Sequence, residues 1–538
     1  MTGAITCCQK AGYELFKAPI VQVKKPSYIC RIGLPLNPWP LKLVDSLLSS
    51  FVSIKYKRVA GMLADPIACQ DELMRSFVDE AKHTAFGKDH SFNEINSYED
   101  FKQRVPLRNY EQLLPYIERI KSGEKDVLWK GRPAFFGKTS GTTSNTKYIP
   151  VTKDSLKNHI GGGQYAPLTY SHKNKKLAFL KGKSLFFSDG HFFEDINGIK
   201  TAPISTIGNS CVPWWYKWLR LPSDEINAIP DYKERIEAMI DLAEANDIRI
   251  IVAMPVWLLV FLRSLKSKTG KDFKQLFPNF QLLILSGMDY EPFMPEIKKY
   301  INMPFDVFET YPSTEGLLAY QDRLNERGMQ LILNNGIFFE FVEVDTLGKE
   351  HVNRVSLNDV KPGVNYALVL NTNAGLWGYI NGDTVRFKTV FPHRIEITGR
   401  IAQYISAFGE HVTVEETEKS IAETAAACGA TIVEYTVAPN IKDDGSLPYH
   451  EWFIEFGQAP EDMSAFASLL DNQICTRNFS YKDVVTHKAI EPLRITVVPK
   501  GGFETYLKAS GKTGLQQKVP HARNDYQFAA QLKKVLAL

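Results

Sequence analysis

The chain has 538 residues, of which 44% are hydrophobic and 23% charged, with a formal net charge of +4. That length exceeds one ordinary hydrophobic core and calls for two or more domains, and the composition excludes a wholly disordered polymer. The lysines are scattered, and short clusters such as that from Lys173 to Lys176 read as solvated turns rather than a nucleic-acid stripe.

The cysteines are Cys7, Cys8, Cys30, Cys69, Cys211, Cys428 and Cys475. Their odd number and the lack of CxxC spacing argue against a disulfide framework or a zinc site, and fit free thiols in a reducing compartment, the cytoplasm. No basic region followed by an apolar run opens the chain, so no secretory signal is expected. The longest apolar run, Val256 to Leu262, is far too short to span a bilayer.

In chain order, Pro19, Pro26, Pro35, Pro38 and Pro40 predict an irregular extension over residues 1–40. Leu43, Leu47, Leu48, Phe51 and Ile54 then recur at helical spacing, and Leu73, Phe77 and Ala81 mark a second helix through Cys69 to Ala85. Next comes a run, Thr139 to Thr146, made only of Ser, Thr, Gly and Asn and followed by Lys147. Small residues let a backbone approach a ligand and aim N–H and hydroxyl groups at anionic oxygens. The run is not a Walker A loop, because it joins the strand-like segments Ala134–Phe136 and Tyr148–Val151 instead of opening a helix. A phosphate-gripping hairpin is the expectation, against the commoner surface turn.

The middle of the chain alternates short buried strands with helices. Ser184–Phe187 ends at Ser188 to Gly190, Ile248–Ala253 leads into the helical run Val256 to Leu265, Gln281–Leu285 ends at Ser286 to Asp289, and Asp306–Phe308 ends at Glu309 to Gly316. This is the cadence of parallel βα units, whose ligands bind beyond the carboxyl ends of the strands. From Leu331 to Phe391 strands dominate: Ile337 to Val344, Tyr366 to Leu370, Gly378 to Ile380 and Val385 to Phe387. Beyond Arg400, an Ala-rich helix (Val414 to Ala427), strands at Thr431 to Ala438, Trp452 to Phe456 and Arg494 to Val498, and a helix near Pro460 to Asn472 predict a compact α+β unit. The expected division is a large domain over residues 1–400 and a small one over 401–538. His191, Glu194 and Asp195 read as a satisfied loop rather than a metal site. Trp214, Trp215, Tyr216 and Trp218 read mostly as core.

Four motifs stand in order: Thr139 to Thr143, Ser286-Gly287-Met288, Thr310 to Gly316, and Gly378 to Asp383 leading to Thr398-Gly399-Arg400. Together they resemble the adenylate-forming superfamily, with its firefly-luciferase-like fold: a large α/β domain with a parallel sheet and a β-rich subdomain, and a smaller mobile α+β C-terminal domain. Thr84 to His90, Tyr98 to Phe101, Val105-Pro106, Tyr110, Leu114 to Ile117, Gly123 and the late run Gly514 to Pro520 narrow this. They resemble the Gretchen Hagen family of auxin-responsive acyl–amino acid amido synthetases, in its bacterial-type branch.

The resemblance implies an ATP-dependent ligase. A carboxylic acid is converted to acyl-AMP with release of pyrophosphate, and an amino acid takes the acyl group. ATP and Mg2+ are the implied cofactors, with small-molecule partners and neither nucleic acid nor a membrane span. By motif, Ser140, Gly141, Thr142, Thr143 and Ser144 hold phosphates, with Lys147 nearby. Tyr311 stacks on adenine, Gly287 and Met288 line that pocket, and Ser313 completes the nucleotide site. Thr314 bonds the α-phosphate, Glu315 holds magnesium, Asp383 accepts from the ribose hydroxyls and Arg400 sits at the hinge. Lys518 reaches the carboxylate–phosphate encounter, with Lys512 as its rival. Pro312 replaces the glycine or alanine usual there. A coenzyme A thioester ligase and a non-catalytic nucleotide-binding protein are the alternatives.

Overall fold

A computed structural model describes residues 39–538 apart from 140–146, 189, 191, 288–289, 348, 350, 402–403, 406, 409, 411, 442–445, 487–489, 511–517 and 524. The expected N-terminal extension lies almost wholly outside the described residues. Leu48–Leu538 form one compact unit.

The helices begin where the sequence supplies caps. Pro66–Ala81 starts at Asp65, whose carboxylate accepts from the Ala68 amide at 3.0 Å, with Pro66 at its first turn. Its buried face carries Met74, Phe77 and Ala81, and also Gln70. The Gln70 side-chain amide donates to the Leu333 carbonyl at 2.7 Å and accepts from the Phe339 amide at 2.8 Å, so a buried polar group ties the helix to the sheet without an orphan. In the preceding helix, Trp39–Ala64, Val52, Val59 and Met62 are buried while Phe51 and Ile54 face outward.

A twelve-stranded sheet organises the molecule. In spatial order its strands are Arg354–Ser356, Ile337–Glu343, Asn365–Thr372, Tyr379–Val390, His393–Arg400, Met329–Leu331, Leu317–Gln321, Asp306–Pro312, Leu282–Ser286, Ile248–Ala253, Lys183–Phe186 and Arg220–Leu221. The last five are mutually parallel, as the βα cadence predicts. The rest pair antiparallel and continue the same sheet, so the β-rich region is an extension of the parallel half. Apolar residues of both halves share one core, in which Leu282, Phe308, Leu318, Phe339 and Leu368 are fully buried.

Two differences from the sequence reading bear on the strands that flank the cleft. Asp306–Pro312 continues as strand through Thr310 and Tyr311, because Ala319 and Tyr320 pair with them from the next strand. The segments Gly378 to Ile380 and Val385 to Phe387 belong to one long strand, Tyr379–Val390, interrupted by irregular pairing around Gly382, whose φ of 96° suits glycine.

Beyond residue 400, Thr431–Asn440, Tyr449–Gln458 and Arg494–Val498 form a separate three-stranded sheet. The helices Val414–Ala427 and Met463–Arg477 lie over a core that includes Val437, Trp452, Ile454 and Phe466. Val414–Ala427 opens with a reciprocal cap between Thr413 and Glu416.

Trp214 and Trp218 depart from the expectation of core. They are 83% and 73% exposed, on the short helix Trp214–Leu219. Neither is stranded chemically, since an indole tolerates a wet environment and the Lys183 ammonium stands 3.8 Å over the Trp218 ring.

Candidate functional site

The hairpin expected around the Ser/Thr-rich run is present. Phe135–Thr139 and Lys147–Val151 pair antiparallel in a four-stranded sheet, with Thr139 opposite Lys147. Ser140, Gly141, Thr142, Thr143 and Ser144 lie outside the described residues, between these two strands. Their anchors, Thr139 and Lys147, open onto a cleft of about 1660 Å³.

The same cleft receives most of the other motif residues. Tyr311, Ser313, Thr314, Glu315, Asp383, Gly287 and Lys518 all line it. Ser313 to Gly316 form a tight turn directly after the strand Asp306–Pro312. The Ser313 amide donates to the Gly316 carbonyl at 2.8 Å, and the Gly316 amide returns a bond to the Ser313 carbonyl at 3.2 Å. This turn displays Thr314 and Glu315 beyond the carboxyl end of a parallel strand, where open α/β sheets bind ligands.

The hairpin and the turn meet at Gly137. A Cβ there would lie 2.5 Å from the Thr314 methyl, so glycine permits the hairpin to approach Thr314. Gly137 adjoins the motif quoted from sequence, but its role is one of packing distance, which no motif encodes.

Burial raises the Glu315 carboxyl above its ordinary value, although the side chain keeps a partial opening to the cleft. The nearby Asp383 charge acts in the same direction, while bonds from its own backbone amide and Ser313 and the positive charge of Lys147 oppose it. Glu315, Asp383 and Lys147 are therefore electrostatic neighbours. Among the described residues no group of three or more His, Cys, Asp and Glu side chains could enclose a metal ion. The donor set fits a cation only as one carboxylate, Glu315, completed by oxygens of a bound substrate.

Tyr311 and Asp383 are 6% and 7% exposed, and the Tyr311 hydroxyl donates to the Asp383 carboxylate. Asn381 supports Asp383 twice, donating to its carboxylate at 3.1 Å and accepting from its amide at 3.0 Å. Tyr311 thus belongs to the core and to the cleft wall at once. Gly287, with φ of 85°, follows the strand Leu282–Ser286, and its carbonyl accepts from the Lys518 ammonium. Lys518 comes from the far end of the chain and reaches the main sheet across the cleft. Met288 and Lys512 lie outside the described residues, and Arg400 is placed by its backbone alone, opposite Asp383 in the sheet register.

Sequence reasoning missed two histidines of the cleft. His159, on the helix Lys153–Gly162, is held neutral by burial, which lowers its pKa to about 4. His521 lies three residues after Lys518 and contacts two carboxylates. Neither position carries a local signature. Glu194 and Asp195 lie on the strand Glu194–Ile196 instead of in a loop, paired with Thr201 and Lys200; Glu194 pairs with Lys138 at 2.6 Å and Asp195 accepts from the Gly198 amide at 2.8 Å. His191 lies outside the described residues. Cys69, Cys211, Cys428 and Cys475 are free thiols. No helix among the described residues is long and apolar enough to cross a membrane.

A part-parallel, part-antiparallel sheet with a cleft at its strand ends and a further α+β element beyond residue 400 is a fold shared with adenylate-forming ligases. A solved 2-hydroxyisobutyryl-CoA ligase in the postadenylation state superposes with a TM-score of 0.51 at 10% identity, over 92% of each chain. The chain belongs to the GH3 family: its N-terminal, central and C-terminal domain models match residues 55–269, 330–400 and 415–527. The solved GH3.15 acyl acid amido synthetase superposes with a TM-score of 0.75 at 18% identity, covering 91% of this chain and 96% of its own. Among sequence relatives, the jasmonoyl–L-amino acid synthetase JAR4 of Nicotiana attenuata is 21% identical over 81% of this chain and 87% of its own length. The indole-3-acetic acid-amido synthetase GH3.4 of Arabidopsis thaliana is 23% identical over 89% and 94%.

Proposed function

We propose that the protein is an ATP-dependent acyl acid amido synthetase. It activates a carboxylic acid as acyl-AMP and transfers the acyl group to the amine of an amino acid. The observation that carries this reading is the convergence of the hairpin anchors, the Ser313 to Glu315 turn, the Tyr311–Asp383 pair and Lys518 on one cleft.

A carboxylate is a poor electrophile, so it must first gain a leaving group. In the proposed first step one carboxylate oxygen attacks the α-phosphorus, a P–O bond breaks, and pyrophosphate departs. In the second, the amine nitrogen attacks the acyl carbon, the C–O bond to AMP breaks, and the ammonium proton is lost. Both steps are mainly a matter of holding reactants in line and offsetting phosphate charge. Ser140 to Ser144 and Lys147 hold the phosphates, Thr314 bonds the α-phosphate, and Lys518 bridges carboxylate and phosphate. Tyr311, with Gly287 and Met288, holds the adenine, Ser313 fixes the turn beside it, and Asp383 and Arg400 hold the ribose. Glu315 would hold magnesium, which would supply positive charge to offset that of the phosphates. The lobe lined by Phe186, Phe187, Val252, Trp257 and Tyr216 suits an apolar acid.

Residues 401–538 act in this reading as a small domain that moves about Arg400 between the two steps. The free thiols fit a cytoplasmic enzyme. The likeness to a coenzyme A ligase keeps thioester formation as the second reading. Acid-dependent exchange of pyrophosphate into ATP tests the first step, across a panel of apolar acids. Adding amino acids or coenzyme A then shows which consumes the adenylate. Absence of acid-dependent exchange overturns the proposal, and consumption by coenzyme A alone replaces its second half.

A further inference from the structure

Lys518 crosses the cleft from an exposed position, and a lysine side chain carries roughly 2 kcal/mol of rotamer entropy. Something must hold its backbone for the ammonium to be aimed. The segment after it is anchored in an unusual way. Val519 and Ala522 are buried in two different apolar clusters of the C-terminal part. The His521 carbonyl accepts from the Val437 amide at 2.9 Å, and the Arg523 amide donates to the Val437 carbonyl at 3.1 Å, which lays the segment along the edge of the strand Thr431–Asn440.

His521 stands between these anchors. Its Nδ1 is 2.9 Å from Oε1 of Glu418, on the helix Val414–Ala427, and its Nε2 is 2.9 Å from Oε1 of Glu434, on the strand Thr431–Asn440. Its ring stacks on Tyr435 with centroids 4.3 Å apart, and Tyr435 in turn stacks on Trp452. Both ring nitrogens face ionisable carboxylates, which accept when ionised, so the imidazolium that donates twice is the form that satisfies both. Burial alone would lower the pKa of His521, but the Glu434 charge and the bonds to both glutamates outweigh it and push it up to about 10. The glutamates of this clamp also line the cleft.

We infer that His521 is a positioning residue: its imidazolium, clamped between Glu418 and Glu434, pins the segment 518–523 to the C-terminal sheet and thereby aims Lys518 across the cleft at Gly287. The inference rests on the role proposed for Lys518 in acid activation. The clamp spans the helix Val414–Ala427 and the strand Thr431–Asn440, so it fixes Lys518 relative to the whole C-terminal element instead of to a loop. Any displacement of that element carries the lysine with it as a rigid pointer.

The test uses the full-length enzyme and two readouts. The first is amine footprinting, the rate at which Lys518 is acetylated by an N-hydroxysuccinimide ester, followed by mass spectrometry. His521→Gln should raise that rate several-fold, while His521→Arg, which restores a cation with donors on two sides, should keep it near wild type. The second is acid-dependent pyrophosphate exchange. His521→Gln should lower kcat about ten-fold with KM for ATP changed by less than about two-fold, the signature of a displaced group that acts in the reacting complex. In a Lys518→Ala background the same change should cost nothing further. Unchanged Lys518 acetylation in His521→Gln, or a loss that multiplies with that of Lys518→Ala, overturns the inference. If His521→Gln does not fold, Glu434→Gln opens one side of the clamp and is judged by the same acetylation rate. A wild-type protein without exchange would refute the proposed function, whereas footprinting would still decide whether the clamp holds the lysine.

Discussion

The Tyr311 hydroxyl donates to the Asp383 carboxylate although three strands, Leu317–Gln321, Met329–Leu331 and His393–Arg400, lie between their own strands in the sheet. The contact joins the parallel half of the sheet, which ends in the Ser313 to Gly316 turn, to the long antiparallel strand. It also couples the two residues assigned to the adenine and ribose. Tyr311→Phe keeps the ring and removes the donor, leaving a buried carboxylate with one hydrogen bond fewer. A bond to a charged group contributes about 1.5–3 kcal/mol, so a loss of that order in unfolding free energy is expected. KM for ATP should rise with little change in the KM for the acid. Urea denaturation and exchange kinetics measure the two effects.

Glu315 presents a half-buried carboxylate whose proton affinity is raised by burial and by Asp383. Glu315→Gln removes the charge at nearly constant volume. Exchange should fall about 10²–10³-fold, the scale seen when one group that stabilises a charged transition state is removed. Titration calorimetry should still detect ATP in the absence of magnesium, and the magnesium dependence of exchange should shift to higher concentration. A variant with wild-type magnesium dependence removes Glu315 from that role.

Most of the architecture was legible because it rests on local pattern. The strands Ile248–Ala253 and Arg494–Val498 and the helix Val414–Ala427 coincide with their sequence-derived limits, since alternation, caps and apolar runs are contained within each segment. The strand Asp306–Pro312 runs past its expected end because its last residues are held by a partner strand, and pairing is not a property of one segment. Trp214 and Trp218 show the converse: aromatic content predicts burial, and only the placement of a short helix at the surface sets their exposure. Among the cleft-lining residues, Tyr311, Glu315, Asp383 and Lys518 stand in motifs that are readable in the sequence. Gly137, His159 and His521 do not, because a close approach, a half-buried imidazole in the cleft wall and a two-carboxylate clamp arise only when distant segments meet.

The sheet also carries a buried ion pair with a structural role. Arg354 donates from Nε to Oε1 of Glu340 at 2.7 Å and from Nη2 to Oε2 at 2.6 Å, and Asn371 adds a bond to Glu340 at 2.8 Å. A further Arg354 nitrogen donates to the Val105 carbonyl at 2.5 Å, tying the end of the helix Tyr98–Arg104 to an edge strand. Arg354→Met would leave Glu340, fully buried, without its counter-charge. Removing one partner of such a pair costs about 3–5 kcal/mol. Chemical denaturation should show a loss of that order, and the double variant Arg354→Met/Glu340→Leu should recover part of it.

The His521 clamp sets a pH dependence whose sign follows from linkage. Its folded pKa, about 10, lies above the ordinary histidine value near 6.5, because Glu434 and Glu418 outweigh the effect of burial. The folded state therefore holds a proton that the unfolded chain releases. The stabilisation is fully present below about pH 6.5 and declines as pH rises toward and through about 10. Wild type and His521→Gln should accordingly differ most in unfolding free energy near pH 6, and the gap should narrow steadily at pH 8 and pH 10. Taking the difference between the two proteins cancels titrations common to both, including the Arg523–Asp525 pair on the same segment. A gap that stays constant from pH 6 to pH 10 would mean that His521 titrates alike in the folded and unfolded protein, and the two carboxylates would then need another source of donors.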